Sequence, residues 1–158
     1  MDLPATLPIT IECLEKNARV SNRTSSFVLP LGATINMDGT ALYQGVTALF
    51  VAQAFGVDLH MVDYLTIISI ATLASIGTAG TPGTGLMLLT LTLTAVGLPL
   101  EGVALIAGID RILDMARTTV NVSGDILVSV LIARSEKELD LATYHDASAG
   151  DDIDFTLR

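Results

Sequence analysis

Cysteine is nearly absent from this chain: Cys13 is the only one in 158 residues, so no disulfide can form within it and the redox compartment stays open. There is no tryptophan and aromatic residues make up only 4%, which leaves at most a thin aromatic girdle for a membrane interface. The two histidines, His60 and His145, stand alone in loop-like sequence and are assigned no role. Basic residues are scarce too, 8 Lys and Arg against 17 Asp and Glu. With no basic patch or recognition motif, and an acidic C-terminal stretch, nucleic acid is excluded as a partner. The opening MDLPATLPIT has no charged region ahead of an apolar core, so it is not a signal peptide. It enters in the middle of an apolar pattern, as a piece of something longer would.

What is present is apolar. Hydrophobic residues make up 51% and the mean hydropathy is +0.61, high for a soluble domain. The net charge of −9 is unevenly spread, because seven of the 17 acids (Glu136, Glu138, Asp140, Asp146, Asp151, Asp152 and Asp154) lie in the last 25 residues. Residues 136–158 therefore read as a disordered acidic cytoplasmic tail.

Residues 1–23 end in a polar stretch, read as a helix end and a cytoplasmic loop. An apolar stretch over 24–55 is broken at Asn36-Met37-Asp38-Gly39. A second covers 63–97 and is interrupted by a glycine-rich run over 77–85; Gly97-Leu98-Pro99 then leads into a long helix over 101–133. The two arms around the glycine run are about a dozen residues each, too short to span alone when about 20 are needed. Lys16, Arg19 and Arg23 precede the first apolar stretch, Arg134 and Lys137 follow the last, and loops 56–63 and 97–101 carry no Lys or Arg. Excess basic residues mark the cytoplasmic side. Both basic ends are then inside and both loops outside, which makes the glycine-centred segment a re-entrant hairpin rather than a crossing. The fold expected is an all-α membrane protein: two transmembrane helices, one unwound at its NMDG segment, plus a re-entrant helical hairpin.

The polar groups of the last helix fall on one stripe. Asp114, Arg117, Asn121 and Asp125 are offset by 3, 7 and 11 residues from the first, or about 300°, 340° and 20° around a helix of 3.6 residues per turn. Ionisable groups are costly at membrane depth, so a shared stripe reads as an ion or substrate site facing protein. The competing reading is a soluble helix with a solvated polar face. Arg117 offers a planar fork for a carboxylate, and Asp114 can hold an ammonium. Together they suit an acidic amino acid, unless they form an internal ion pair that only neutralises both charges. Asn121 and Asp125 suit a cation. The unwound Asn36-Met37-Asp38-Gly39 adds freed carbonyls and the Asp38 charge, with Gly32 and Thr34 a turn upstream. Asp110 and Arg111 read as interfacial and structural. The glycine run lacks the lysine of a phosphate-binding loop, so a nucleotide site is dismissed; it suits a flexible tip whose helix amides meet a carboxylate.

Three motifs in order, Asn36-Met37-Asp38-Gly39-Thr40, Ser75-Ile76-Gly77-Thr78-Ala79-Gly80-x-Pro82-Gly83 and Asp114-x-x-Arg117-Thr118-x-x-Asn121-Val122-x-Gly124-Asp125, resemble those of the glutamate transporter family, the dicarboxylate/amino acid:cation symporters. The resemblance covers about residues 4–135 and implies the C-terminal part of a transport domain: the end of a first hairpin, an unwound helix, a gating hairpin and a substrate-binding helix. It implies that Arg117 binds the substrate's side-chain carboxylate and Asp114 its amino group. Thr40, Thr118 and Asn121 would complete the pocket, and backbone near Gly80 would meet the other carboxylate. For sodium, the coupling ion in place of any organic cofactor, it implies Gly32, Asn36, Asn121 and Asp125 at one site. Asp38 with Asn36 would form another, and carbonyls of Thr34, Ser75, Ile76 and Thr78 a third. Thr81 departs from the Val or Ile expected in the hairpin tip, and the serine-rich tip of the first hairpin and the helices before it are absent. Those would form the scaffold, a homotrimer when complete.

The expected function is sodium-coupled symport of aspartate or glutamate, not enzymatic catalysis, in the plasma or inner membrane among lipid, with the C-terminus cytoplasmic. The alternatives are a non-transporting membrane fragment, unable to transport alone, and a C4-dicarboxylate symporter.

Overall fold

The computed structural model describes residues 3–77, 83–139 and 141–144, and every regular element among them is an α-helix. In chain order these are α1 (Leu3–Lys16), α2 (Asn22–Ile35), α3 (Asp38–Ala54), α4 (Met61–Gly77), α5 (Thr84–Ala95), α6 (Glu101–Ala107), α7 (Asp110–Ser135) and the short α8 (Leu141–Tyr144). The expected arms on either side of the glycine run are α4 and α5. The expected interruption near residue 36 is the gap between α2 and α3.

Two apolar cores flank α7. In one, Tyr43, Ala48, Val51 and Ala52 of α3 pack on Ile67 of α4, Leu89 and Leu93 of α5, and Ile106 of α6. The other joins Leu14 of α1, Val20, Leu29 of α2 and Ala133 of α7. Because α7 packs on both α2 and α3, its middle turns lie against the α2–α3 break. At the first core a glycine sets the helix spacing. A Cβ on Gly102 would run into the Val51 side chain, which is fully buried and β-branched, so it has no rotamer to retreat to. Gly102→Ala should therefore destabilise the fold by about 1–3 kcal/mol, measured as a drop in the detergent-solubilised melting temperature with α-helical content retained.

The outer surface is apolar. Phe27, Leu31 and Ile35 form an exposed i, i+4, i+8 stripe on α2, and Leu42, Val46 and Phe50 repeat it on α3. Phe27 is 70% exposed and Met87 75%. A surface like this has to be met by lipid or by more polypeptide. Among the described residues α7, with 26 residues, is the one helix long and apolar enough to cross a membrane; Met61–Ile76 and Thr84–Ala95 are apolar but shorter.

Two boundaries differ from the sequence expectation. The helix expected over 101–133 is split at Gly108–Ile109, where Ile109 has φ −117° and ψ 2°. The split starts a new helix at Asp110, placing a carboxylate at its N-terminal end where the helix dipole favours it. Glu138 and Leu139, expected in the tail, belong to the packed corner at the end of α7: Leu139 bridges to Val20, and the Glu138 carboxylate accepts hydrogen bonds from the Ser21 and Thr24 hydroxyls at the start of α2. Residues 145–158 of the tail lie outside the described residues.

Candidate functional site

The break between α2 and α3 is two residues wide. Asn36 (φ −109°, ψ 77°) and Met37 (φ −111°, ψ 54°) leave the helical region, and Asp38 and Gly39 already belong to α3. The amides that would continue the helical ladder go elsewhere. Gly39 N–H donates to Asn121 Oδ1 at 2.8 Å, and Thr40 and Ala41 donate to the Met37 carbonyl. The carbonyls of Ile35 and Asn36 thus lose the donors a continuous helix would supply. The Gly32 carbonyl keeps its donor, Asn36 N–H at 2.8 Å.

Against this break lies the C-terminal half of the α7 stripe. Asp125 and Asn121 are only 3% and 4% exposed. Asn36 Nδ2 donates to Asp125 Oδ1 at 2.9 Å. The approach is close because glycine faces the carboxylate: a Cβ on Gly32 would collide with it. From the other side, a Cβ on Gly124 would stand 3.0 Å from Asn36 Nδ2 and 3.4 Å from Asp38 Oδ2. Gly32, Asn36, Asp38, Asn121 and Asp125 are therefore gathered into one cluster, with two carboxylates, two side-chain amides and freed main-chain carbonyls. Oxygen-only donors suit a hard cation. Among the described residues no three Asp, Glu, His or Cys side chains gather as a metal site.

Further toward the N-terminus of α7, Asp114 and Arg117 form an ion pair with side chains 19% and 13% exposed. The guanidinium carbon lies 5.5 Å from the Tyr43 ring centroid, within cation–π range. Gly85, in the first turn of α5, packs so closely on the guanidinium that a Cβ there would strike it, and Gly39 packs likewise on the Arg117 carbonyl. Thr40 (3% exposed) and Thr118 (9%) are buried in the same region of α3 and α7.

Not every expected position joins this cluster by a side-chain hydrogen bond. Thr34 is exposed and its hydroxyl donates to the Leu31 carbonyl; Ser75 is buried with its hydroxyl on the Thr72 carbonyl; Ile76 is exposed. Ser75 and Ile76 end the arm α4, which packs along α2 and α3. Thr78 and Gly80 lie outside the described residues.

Three residues that sequence reasoning did not assign to the site support it. The Tyr43 hydroxyl donates to Asp110 at 2.8 Å. Gln44, fully buried, donates from Nε2 to the Gly85 carbonyl at 3.1 Å, and the Thr92 hydroxyl lies 3.0 Å from its Oε1. Gln44 thereby ties α5 to α3 next to Arg117. The signal available was a lone amide in an apolar run, Ala-Leu-Tyr-Gln-Gly-Val, since a buried amide has to find partners.

The sodium:dicarboxylate symporter family matches this chain over residues 4–135. An excitatory amino acid transporter of Caenorhabditis elegans is 52% identical over 137 residues, 86% of this chain and 27% of that protein. Excitatory amino acid transporter 1 of Ambystoma tigrinum is 48% identical over 147 residues, 93% of this chain and 26% of the relative. Human excitatory amino acid transporter 3 is 51% identical over 137 residues, 86% and 26% respectively. The chain spans about a quarter of the length of these relatives. With a family match over most of its length, and that match taking in the α2–α3 break and the α7 stripe, this chain belongs to the sodium:dicarboxylate symporter family.

Proposed function

We propose that this chain carries the substrate and cation sites of a sodium-coupled symporter for acidic amino acids. The observation that carries the reading is the mostly buried Asp114–Arg117 pair, seated on the same helix as the Asn36–Asp125 cluster. Opposite charges side by side can exchange their mutual pairing for the ammonium and second carboxylate of aspartate or glutamate. Arg117 takes the side-chain carboxylate and Asp114 the amino group. Thr40, Thr118 and Asn121 line the pocket, and the tip near Gly80 takes the α-carboxylate. Sodium is bound by oxygens drawn from Gly32, Thr34, Asn36, Asp38, Ser75, Ile76, Thr78, Asn121 and Asp125. The released carbonyls beside a buried carboxylate support this, since they are ligands that hold a cation without a large fixed charge. A competition assay tests substrate class: unlabelled aspartate and glutamate should displace bound aspartate, while alanine and succinate, each lacking one of the two charges, should not. Equal displacement by succinate would move the protein to the dicarboxylate class.

In the membrane, α2 and α3 cross outward, α4 and α5 enter and leave from outside as a re-entrant hairpin, and α7 crosses back. The C-terminus is then cytoplasmic in the cell membrane, and the α2 and α3 apolar stripes face lipid or the scaffold portion of a homotrimer. Single cysteines at 58–62 and 98–101, with Cys13 replaced by serine, should react with an impermeant maleimide added outside intact cells. Labelling of either loop only after permeabilisation would overturn this topology.

A further inference from the structure

At the C-terminal end of α7, a cleft of about 350 Å³ opens between that helix and the start of α2. Its lining carries charge from both elements: Arg23 of α2, and Glu136 and Glu138 of the segment after α7. Its wall is apolar, formed by Phe27, Val28 and Ile132. The cleft sits where the crossing helix stops, since α7 ends at Ser135 and Glu136 follows. Neither the Arg23 nor the Glu136 side chain has a hydrogen bond or salt bridge among the described residues. Glu138 is fixed in place by the Ser21 and Thr24 hydroxyls, whose hydrogen bonds, with the nearby Arg23 charge, hold its carboxyl below the usual carboxylate range. Phe27, part of the lining, is 70% exposed.

We infer that this cleft binds a bilayer phospholipid whose headgroup joins a phosphate to a primary amine, the phosphatidylethanolamine class. The inference rests on α7 crossing the bilayer. Arg23 meets the phosphate through its planar guanidinium. The primary ammonium donates its N–H groups to Glu136 and Glu138, and the acyl chain lies along Phe27, Val28 and Ile132. The charge pattern selects against other headgroups. A phosphatidylcholine ammonium has no N–H to donate. Phosphatidylglycerol brings no cation to two carboxylates. Phosphatidylserine adds a carboxylate that they repel.

The test is retention of lipid from vesicles made of equal parts of these four classes. The chain is first shown to float with the vesicles, then extracted gently, and the bound lipid is identified by native mass spectrometry. Phosphatidylethanolamine should be enriched about fivefold over phosphatidylcholine, the scale of a single exposed charge interaction. Glu136→Gln should bring that ratio close to the bulk value, and Arg23→Gln should lower retained phospholipid of every class. Glu138 is left in place because it also anchors Ser21 and Thr24. Bulk composition on the unmodified chain, or enrichment unchanged in both variants, overturns the site. Enrichment that emerges only after residues 145–158 are removed overturns it too, because the chain's own end is then the occupant. A chain that fails to float overturns the membrane placement, and this site with it, whereas a chain that floats without headgroup preference overturns the site alone.

Discussion

Arg117→Cys is expected to lower the affinity for aspartate and glutamate by about a hundredfold to several thousandfold. A substrate carboxylate buried without its guanidinium loses about 3–5 kcal/mol, and each 1.4 kcal/mol is tenfold. Neutral amino acids carry no such carboxylate, so their relative affinity should rise as the acidic ones fall. In the proposed site, Asp114→Asn removes the carboxylate that would pair with the substrate ammonium. It should weaken every amino acid about a hundredfold while leaving plain dicarboxylates comparatively favoured. The two variants therefore move specificity in different directions, and loss of fold would not do that. Unchanged aspartate binding in both would leave Asp114 and Arg117 as an internal ion pair with no substrate role.

The second large effect is expected at Asp125. It is 3% exposed, held by Asn36 Nδ2 at 2.9 Å, and faced by a glycine that leaves no room for another side chain. Asp125→Asn keeps the shape and removes the charge that, in the proposed site, would balance a cation. The sodium concentration giving half-maximal aspartate binding should rise by about a hundredfold, an energy of about 3 kcal/mol for a buried charge left without its counterpart. Helix content and detergent stability should change little, because Asn36 can present either end of its amide to the new side chain. An unshifted sodium dependence would take Asp125 out of the cation site.

Legibility in the sequence follows the range of the interaction. The α2–α3 break was readable at Asn36-Met37-Asp38-Gly39 because turn-tolerant residues inside an apolar run are a local signal. The α7 stripe was readable because a 3.6-residue period puts Asp114, Arg117, Asn121 and Asp125 together. The split at Gly108–Ile109 was not, since a single glycine in an apolar helix is a weak signal. The contact at the new helix start is distant in sequence: Tyr43, 67 residues away, donates a hydrogen bond to Asp110. The Gln44–Gly85 bond, across 41 residues, and the Glu138 contacts with Ser21 and Thr24, across more than 100, also have no periodic trace. Asn121 was placed in the site by its stripe, but its hydrogen bond to the Gly39 amide depends on how α3 meets α7, which no spacing within either helix encodes.

In the proposed function, one seam on α7 binds an acidic amino acid and sodium together. Binding at two coupled sites is reciprocal, so the most direct measurement is aspartate affinity titrated calorimetrically across sodium concentrations, with choline replacing sodium to hold ionic strength. Affinity should rise steeply with sodium, and sodium binding should tighten equally when aspartate is saturating. The same aspartate affinity in choline as in sodium would contradict it.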